Sequence, residues 1–71
     1  MSQSDVLELL YELGGSATTK EIRDLAKRKY PERTLYIYVG NRLKKLEKWE
    51  TIKREIKDGK LFWKAKPKES I

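Results

Sequence analysis

The sequence predicts a small α+β domain of three helices followed by a two-stranded β-hairpin. Three observations carry that expectation: apolar residues recur at helical spacing up to Trp49, the spacing changes to strict alternation from Thr51, and Asp58-Gly59 sits in the middle of the alternating stretch. Seventy-one residues make a single domain, 1–71, with no room for a second core. The folded part is expected over about 4–66, with the polar tail from Pro67 to Ile71 frayed.

The first helix is expected to be capped by Ser4, to bury Val6, Leu7, Leu9, Leu10 and Leu13, and to end at Gly14-Gly15. Asp5, Glu8 and Glu12 make it acidic. Ala17 and its neighbours leave room only for a bridge or a very short strand. Thr18 followed by Glu21 has the spacing of a capping box. It opens a second helix with Ile22, Leu25 and Ala26 inside and Arg23, Lys27 and Arg28 outside, which Pro31 stops because the residue before proline avoids the helical region.

The third helix is the stretch "TLYIYVGNRLKKLEKW", Thr34 to Trp49, with Thr34 as its expected cap. At 100° per residue, Leu35, Val39, Leu43 and Leu46 fall within a sector about 80° wide, with Trp49 on its edge. Ile37, Gly40, Asn41, Lys44 and Lys48 lie opposite, with Lys45 at the border. The hairpin follows, and Asp58-Gly59 suits a type I′ turn, which needs positive φ at both central residues. Counting outward from it pairs Lys57 with Lys60, Ile56 with Leu61, Glu55 with Phe62, Arg54 with Trp63, Lys53 with Lys64 and Ile52 with Ala65. Ile52, Ile56, Leu61, Trp63 and Ala65 are then expected to close over the helices. Lys53, Lys57, Lys60 and Lys64 surround Glu55 and Phe62 on the other face.

Composition narrows the chemistry. With no cysteine and no histidine, disulfides, Cys/His zinc sites and thiol or imidazole catalysis are excluded. No apolar run approaches the roughly 18 to 20 residues that span a bilayer, and no charged-then-apolar leader opens the chain, so an intracellular, cytoplasmic protein is expected. The net charge is +6, and it is unevenly spread. Met1 to Thr34 is neutral, so the whole excess belongs to Leu35 to Ile71. Such asymmetry suits a nucleic acid or an anionic surface. A solvated Lys/Glu-rich surface of thermophile type, consistent with one Asn and one Gln in the chain, is the plainer explanation, and both can hold together.

Helix order, leucine spacing and the Asp-Gly hairpin resemble the winged helix-turn-helix family of small, archaeal-like transcriptional regulators. The resemblance covers about residues 6–66 and is densest in "VGNRLKKLEKWETIKRE", which looks like a recognition helix running into the first strand of a wing. It departs at Glu50, where many members have glycine to end the helix, and at Thr51, usually apolar.

The resemblance implies double-stranded DNA as partner, with the third helix in the major groove and the wing on the backbone or minor groove. Ile37 and Asn41 are the candidates for base readout, since an aliphatic group packs on a thymine methyl and an Asn amide pairs with adenine. Gly40 invites close approach of DNA backbone or of another helix. Lys44, Lys45 and Lys48 would meet phosphates, as would Arg33 and Thr34 at the helix start and Thr19 and Lys20 at the start of the second helix. Tyr36 is expected to pack beside Leu43, and Tyr38 to lie at the core edge with its hydroxyl toward a phosphate. Neither is expected to act as a nucleophile, because Glu32 and Glu47 form no metal-binding cluster near them. Arg42 lies near the buried sector, where its stem can pack while its guanidinium reaches a phosphate or an acidic neighbour. Trp49 and Trp63 are expected at the core or its edge. Lys53, Lys57, Lys60 and Lys64 form a ladder of like charges that a phosphate backbone, or solvent ions, would screen. Phe62 is expected to be exposed among them, against DNA sugars or a protein. Neither an enzyme nor a cofactor is expected, and a homodimer would be needed to cover two half-sites. A sequence-neutral architectural DNA-binding protein and a protein-interaction adaptor remain the alternatives.

Overall fold

The computed structural model describes residues 3–32 and 34–66. Its elements follow in the order α1 (Gln3–Glu12), β1 (Ser16–Ala17), α2 (Thr19–Lys29), α3 (Leu35–Lys48), β2 (Ile52–Lys57) and β3 (Lys60–Ala65). The three strands form one antiparallel sheet in the order β1-β3-β2. The fold is therefore α+β, but the sheet has three strands rather than the expected two. Ser16 pairs with Lys64 and Ala17 with Trp63, so even this two-residue strand gives β3 a partner on its second edge. A strand this short has no periodicity by which the sequence could announce its pairing.

Helix ends follow local chemistry. Thr18 caps α2 with a complete capping box: its hydroxyl accepts the Glu21 N–H at 3.1 Å, and the Glu21 carboxylate accepts the Thr18 N–H at 2.9 Å. At the end of α1, the N–H of Gly15 donates to the Leu10 carbonyl at 2.9 Å and that of Gly14 to the Tyr11 carbonyl at 3.0 Å, a Schellman closure with Gly14 at φ 91°. α3 closes in the same way, through Thr51 N–H to Leu46 O and Glu50 N–H to Glu47 O, both at 2.9 Å. Here the left-handed residue is Glu50, at φ 60°. The helix ends where a glycine would end it, at the steric cost that an L side chain carries in that region.

Two expected caps are corrected. Helix α1 already begins at Gln3, so Ser4 lies inside it. Thr34 does stand at the N-cap of α3, but its side chain makes no capping hydrogen bond. Its ψ of 15° is far from the extended backbone that lets a capping side chain loop back. The Ile37 N–H instead donates to the Thr34 carbonyl at 2.9 Å.

The core lies between the three helices and the sheet. α1 contributes Val6, Leu9 and Leu10, α2 contributes Ile22 and Ala26, and the α3 stripe of Leu35, Val39, Leu43 and Leu46 is buried as its spacing predicts. The sheet adds Ala17, Ile52, Trp63 and Ala65. All six predicted β2–β3 pairs form, around Asp58 and Gly59 at φ 51° and 78°. The alternation was legible, but its reach over the helices was not. Ile56 is 67% exposed on the edge strand β2, whereas Leu61, its partner on the central strand β3, is half-buried against the core. Trp49, expected at the core edge, is 60% exposed at the C-cap, one helical turn beyond the end of the buried stripe. Phe62 is half-buried rather than fully exposed.

The indole of Trp63 is the central tie. Its Nε1–H donates to the Thr19 hydroxyl at 2.8 Å, joining β3 to the first turn of α2. The Arg54 guanidinium lies 5.2 Å from the indole centroid, and its Nε donates to the Glu47 carboxylate at 2.7 Å, joining β2 to α3. Polar contacts tie α1 as well. The Tyr11 hydroxyl donates to the Lys66 carbonyl at 3.1 Å, and Lys29 meets Glu12 at 2.6 Å. That hydrogen bond to Glu12 holds the Lys29 ammonium above its ordinary pKa, so this exposed pair keeps its small contribution until strongly alkaline pH. Among the described residues, no helix is long and apolar enough to cross a membrane.

Two stability predictions follow from these placements. Glu50→Gly relieves the left-handed glutamate and should raise the unfolding free energy by about 0.5–1 kcal/mol, seen as a higher urea midpoint at unchanged slope. Ile56→Ser should shift stability by no more than about 0.5 kcal/mol, whereas Trp63→Ala should cost about 3–5 kcal/mol and leave the chain largely unfolded. A strongly destabilised Ile56→Ser protein would mean that the hairpin tip is covered in solution.

Candidate nucleic-acid interface

Helix α3 divides its residues by wheel position. With Leu35, Val39, Leu43 and Leu46 inside, it turns Ile37 (58% exposed), Asn41, Lys44 and Lys48 outward on one strip, with Lys45 beside them. Gly40 sits at the border, half-buried. A methyl group built there would meet nothing within 4 Å, so no neighbouring element of the described chain accounts for the glycine. Of the two explanations open from sequence, close approach by another helix of this chain is removed.

The two tyrosines leave the strip in opposite directions. Tyr36 is half-buried against the core, with the Lys27 ammonium of α2 5.3 Å from its ring centroid. Tyr38 is 47% exposed and, with Asn41, Arg42 and Lys45, lines a shallow cavity of about 150 Å³ on the other flank of the helix. The sequence left Arg42 between two roles. In the structure its Nε is buried without a hydrogen-bond partner, and none of the described acidic residues pairs with it.

The sheet supplies a second basic surface. Lys53, Lys57, Lys60 and Lys64 are all exposed on the face turned away from the helices, and they stand directly opposite one another as Lys53–Lys64 and Lys57–Lys60. Like charges so placed repel. Glu55 relieves part of this, with its carboxylate 3.9 Å from the Lys64 ammonium. Arg54 belongs to the opposite face, spent on Trp63 and Glu47. Its part in positioning the hairpin was missed from sequence, although the register that pairs it with Trp63 held the signal.

At the start of α2, Lys20 is exposed, while Thr19 is half-buried with its hydroxyl accepting from Trp63. That hydroxyl has a structural task the sequence did not reveal, and it retains one hydrogen to donate. Thr34 is exposed, and Arg33 lies outside the described residues. Thus the fold brings Ile37, Gly40, Asn41, Lys44, Lys45 and Lys48 to one helix surface, with Tyr38 on its flank, and gathers the four hairpin lysines on one sheet face. Tyr36 and Thr19 are instead turned partly inward.

Comparison with protein-family models, with curated proteins and with solved structures returned no match.

Gly40 gives this surface a test independent of any ligand. With open space where its side chain would be, Gly40→Ala should raise stability by about 0.5–1 kcal/mol in thermal or urea unfolding. Destabilisation would mean that the backbone of α3 is approached by something within the folded chain.

Proposed function

We propose that the chain is a winged helix-turn-helix domain that binds double-stranded DNA, most simply as a sequence-specific transcriptional regulator. In this reading α2 and α3 are the helix-turn-helix, α3 enters the major groove, and the β2–β3 hairpin is the wing on the backbone or in the minor groove. One observation carries it: the helix that buries a full leucine-rich stripe keeps an aliphatic group, an amide and lysines on its opposite strip, and a lysine-laddered hairpin follows three residues later.

Each residue type has a task on that surface. Ile37 packs on a thymine methyl and Asn41 forms a bidentate pair with adenine. Gly40 lets the sugar-phosphate backbone approach α3, while Lys44, Lys45 and Lys48 take phosphates as the helix leaves the groove. Lys53, Lys57, Lys60 and Lys64 grip the backbone beside the site, and their mutual repulsion is relieved by the phosphates they neutralise. Thr34, Lys20 and the backbone at the start of α2 add positioning contacts. The mechanism is occupancy of an operator, without catalysis or a cofactor, in the cytoplasm at the nucleoid. A single domain of this size covers few base pairs, so specific binding requires a homodimer on two half-sites.

The exposed Trp49 and Ile56 favour a second reading, in which the domain docks a protein partner through apolar contacts. Salt separates the two. A DNA binder that neutralises about five phosphates loses affinity with a log–log slope near −4.5, which a mainly apolar protein contact does not.

The experiment is selection of bound duplexes from a randomised pool at about 150 mM salt, followed by titration of the enriched and scrambled sequences. A regulator yields a motif bound at least ~10³-fold better than scrambled DNA. Asn41→Ala should then relax preference at one base step by about 1–3 kcal/mol, whereas Lys60→Ala should weaken all sequences alike. Salt-sensitive binding with no enriched motif would replace the regulator by an architectural protein, and absence of duplex binding would leave the adaptor.

A further inference from the structure

We infer that Tyr38, Arg42 and Lys45 form a dedicated phosphate-binding notch on one flank of α3, with Asn41 as the wall shared with the outward strip, and that it takes a backbone phosphate of the bound duplex. The inference rests on the DNA-binding reading and adds Arg42 as its anchor.

Position comes first. At about 100° per residue, Asn41, Lys45, Tyr38 and Arg42 lie roughly 40°, 80°, 100° and 140° round the helix from Ile37. Tyr36 and Glu47 lie on the opposite flank, where Tyr36 sits beneath Lys27 of α2 and Glu47 holds Arg54 of β2. α2 and the hairpin therefore occupy one side of α3, and the notch opens on the other. A helix inside a major groove faces two sugar-phosphate walls, one on each flank. The hairpin lysines serve the first wall, and the notch is the fold's provision for the second.

The chemistry of the lining is one-sided. The cavity of about 150 Å³ is bounded by a phenol, an amide, a guanidinium and an ammonium, with no carboxylate among its lining residues. All four side chains can donate hydrogen bonds, and two are cations. Arg42 adds an independent sign. Its Nε is sealed from solvent yet unpaired, and among the described residues its guanidinium meets no acid. A buried unpaired donor carries a desolvation cost that a native structure ordinarily removes. The planar fork of a guanidinium matches two phosphate oxygens, so a phosphate entering the notch removes this cost by drawing the guanidinium round toward it, which pairs the nitrogen that the free protein leaves unsatisfied.

The test combines two probes. Inorganic phosphate is titrated into the DNA-free protein while the ¹⁵N-labelled Arg42 Nε–H signal is followed, and a 20-base-pair duplex is titrated across a salt series with wild type, Arg42→Gln and Arg42→Lys. The expected result is a downfield shift of the Arg42 Nε–H proton on adding duplex, larger than with millimolar inorganic phosphate. Arg42→Gln should bind the duplex about tenfold more weakly with a log–log salt slope shallower by ~0.9, while Arg42→Lys keeps the slope and loses only part of the affinity. Since the Nε–H signal is read on the unmodified protein, it decides even if Arg42→Gln fails to fold. Wild type that binds duplex while Arg42→Gln keeps its slope and the Nε–H signal stays unmoved overturns the notch alone. A shift with inorganic phosphate but an unchanged duplex slope makes this a site for a free phosphorylated ligand and overturns the DNA assignment. Wild type that binds no duplex at any salt overturns the DNA reading itself.

Discussion

The fold depends on burying one indole and satisfying its single N–H. Trp63 stands in the central strand of the sheet, donates to Thr19 at the mouth of α2, and lies under Arg54, which Glu47 anchors to α3. A sheet of three short strands has little area with which to hold itself to three helices. A large aromatic ring with a polar handle solves this, because its area supplies the attraction and its hydrogen bond fixes the angle. The same contacts set where the hairpin lysines stand relative to α3, so an interaction that looks purely structural also determines what the basic surfaces can reach.

Charge is arranged around that framework in two ways. The acidic α1 and basic α2 meet through Glu12 and Lys29, in the half of the chain whose charges cancel. In the second half, Arg54 is committed to Glu47 and Lys64 is partly offset by Glu55, while Lys44, Lys45, Lys48, Lys53, Lys57 and Lys60 are exposed with no described acid within ion-pair distance. Cations held close together without counter-charges raise the local potential, and the domain tolerates that repulsion at a size where stability is only a few kcal/mol. A polyanion brought to these surfaces would turn this repulsion into attraction.

Much of this was legible in the sequence for reasons that are local. The α3 stripe, the Thr18–Glu21 capping box and the six-pair register around Asp58-Gly59 each follow from short-range geometry, and each is present in the structure. What was not legible depends on how far one element reaches over another. Alternation put Ile56, Leu61 and Trp63 on the same face but could not say that the core covers Leu61 and Trp63 on the central strand and leaves Ile56 exposed on the edge strand. Ser16–Ala17 was too short for its pairing with β3 to show. Thr34 was the right residue type at the right place, yet its backbone takes the wrong angles for a cap. Likewise Asn41, Lys45 and Tyr38 could be assigned to the surface of α3, but the cavity they line with Arg42, and the unpaired Nε, exist only in three dimensions.

The most direct measurement of the central claim is an amide ¹H–¹⁵N titration of the protein with a duplex oligonucleotide at near-physiological salt. If α3 and the hairpin form the DNA-binding surface, the perturbed amides will cluster between Ile37 and Lys48 and between Lys53 and Lys64, while those of α1 stay in place. Perturbations centred on α1, or none at duplex concentrations well above the protein, would contradict the account.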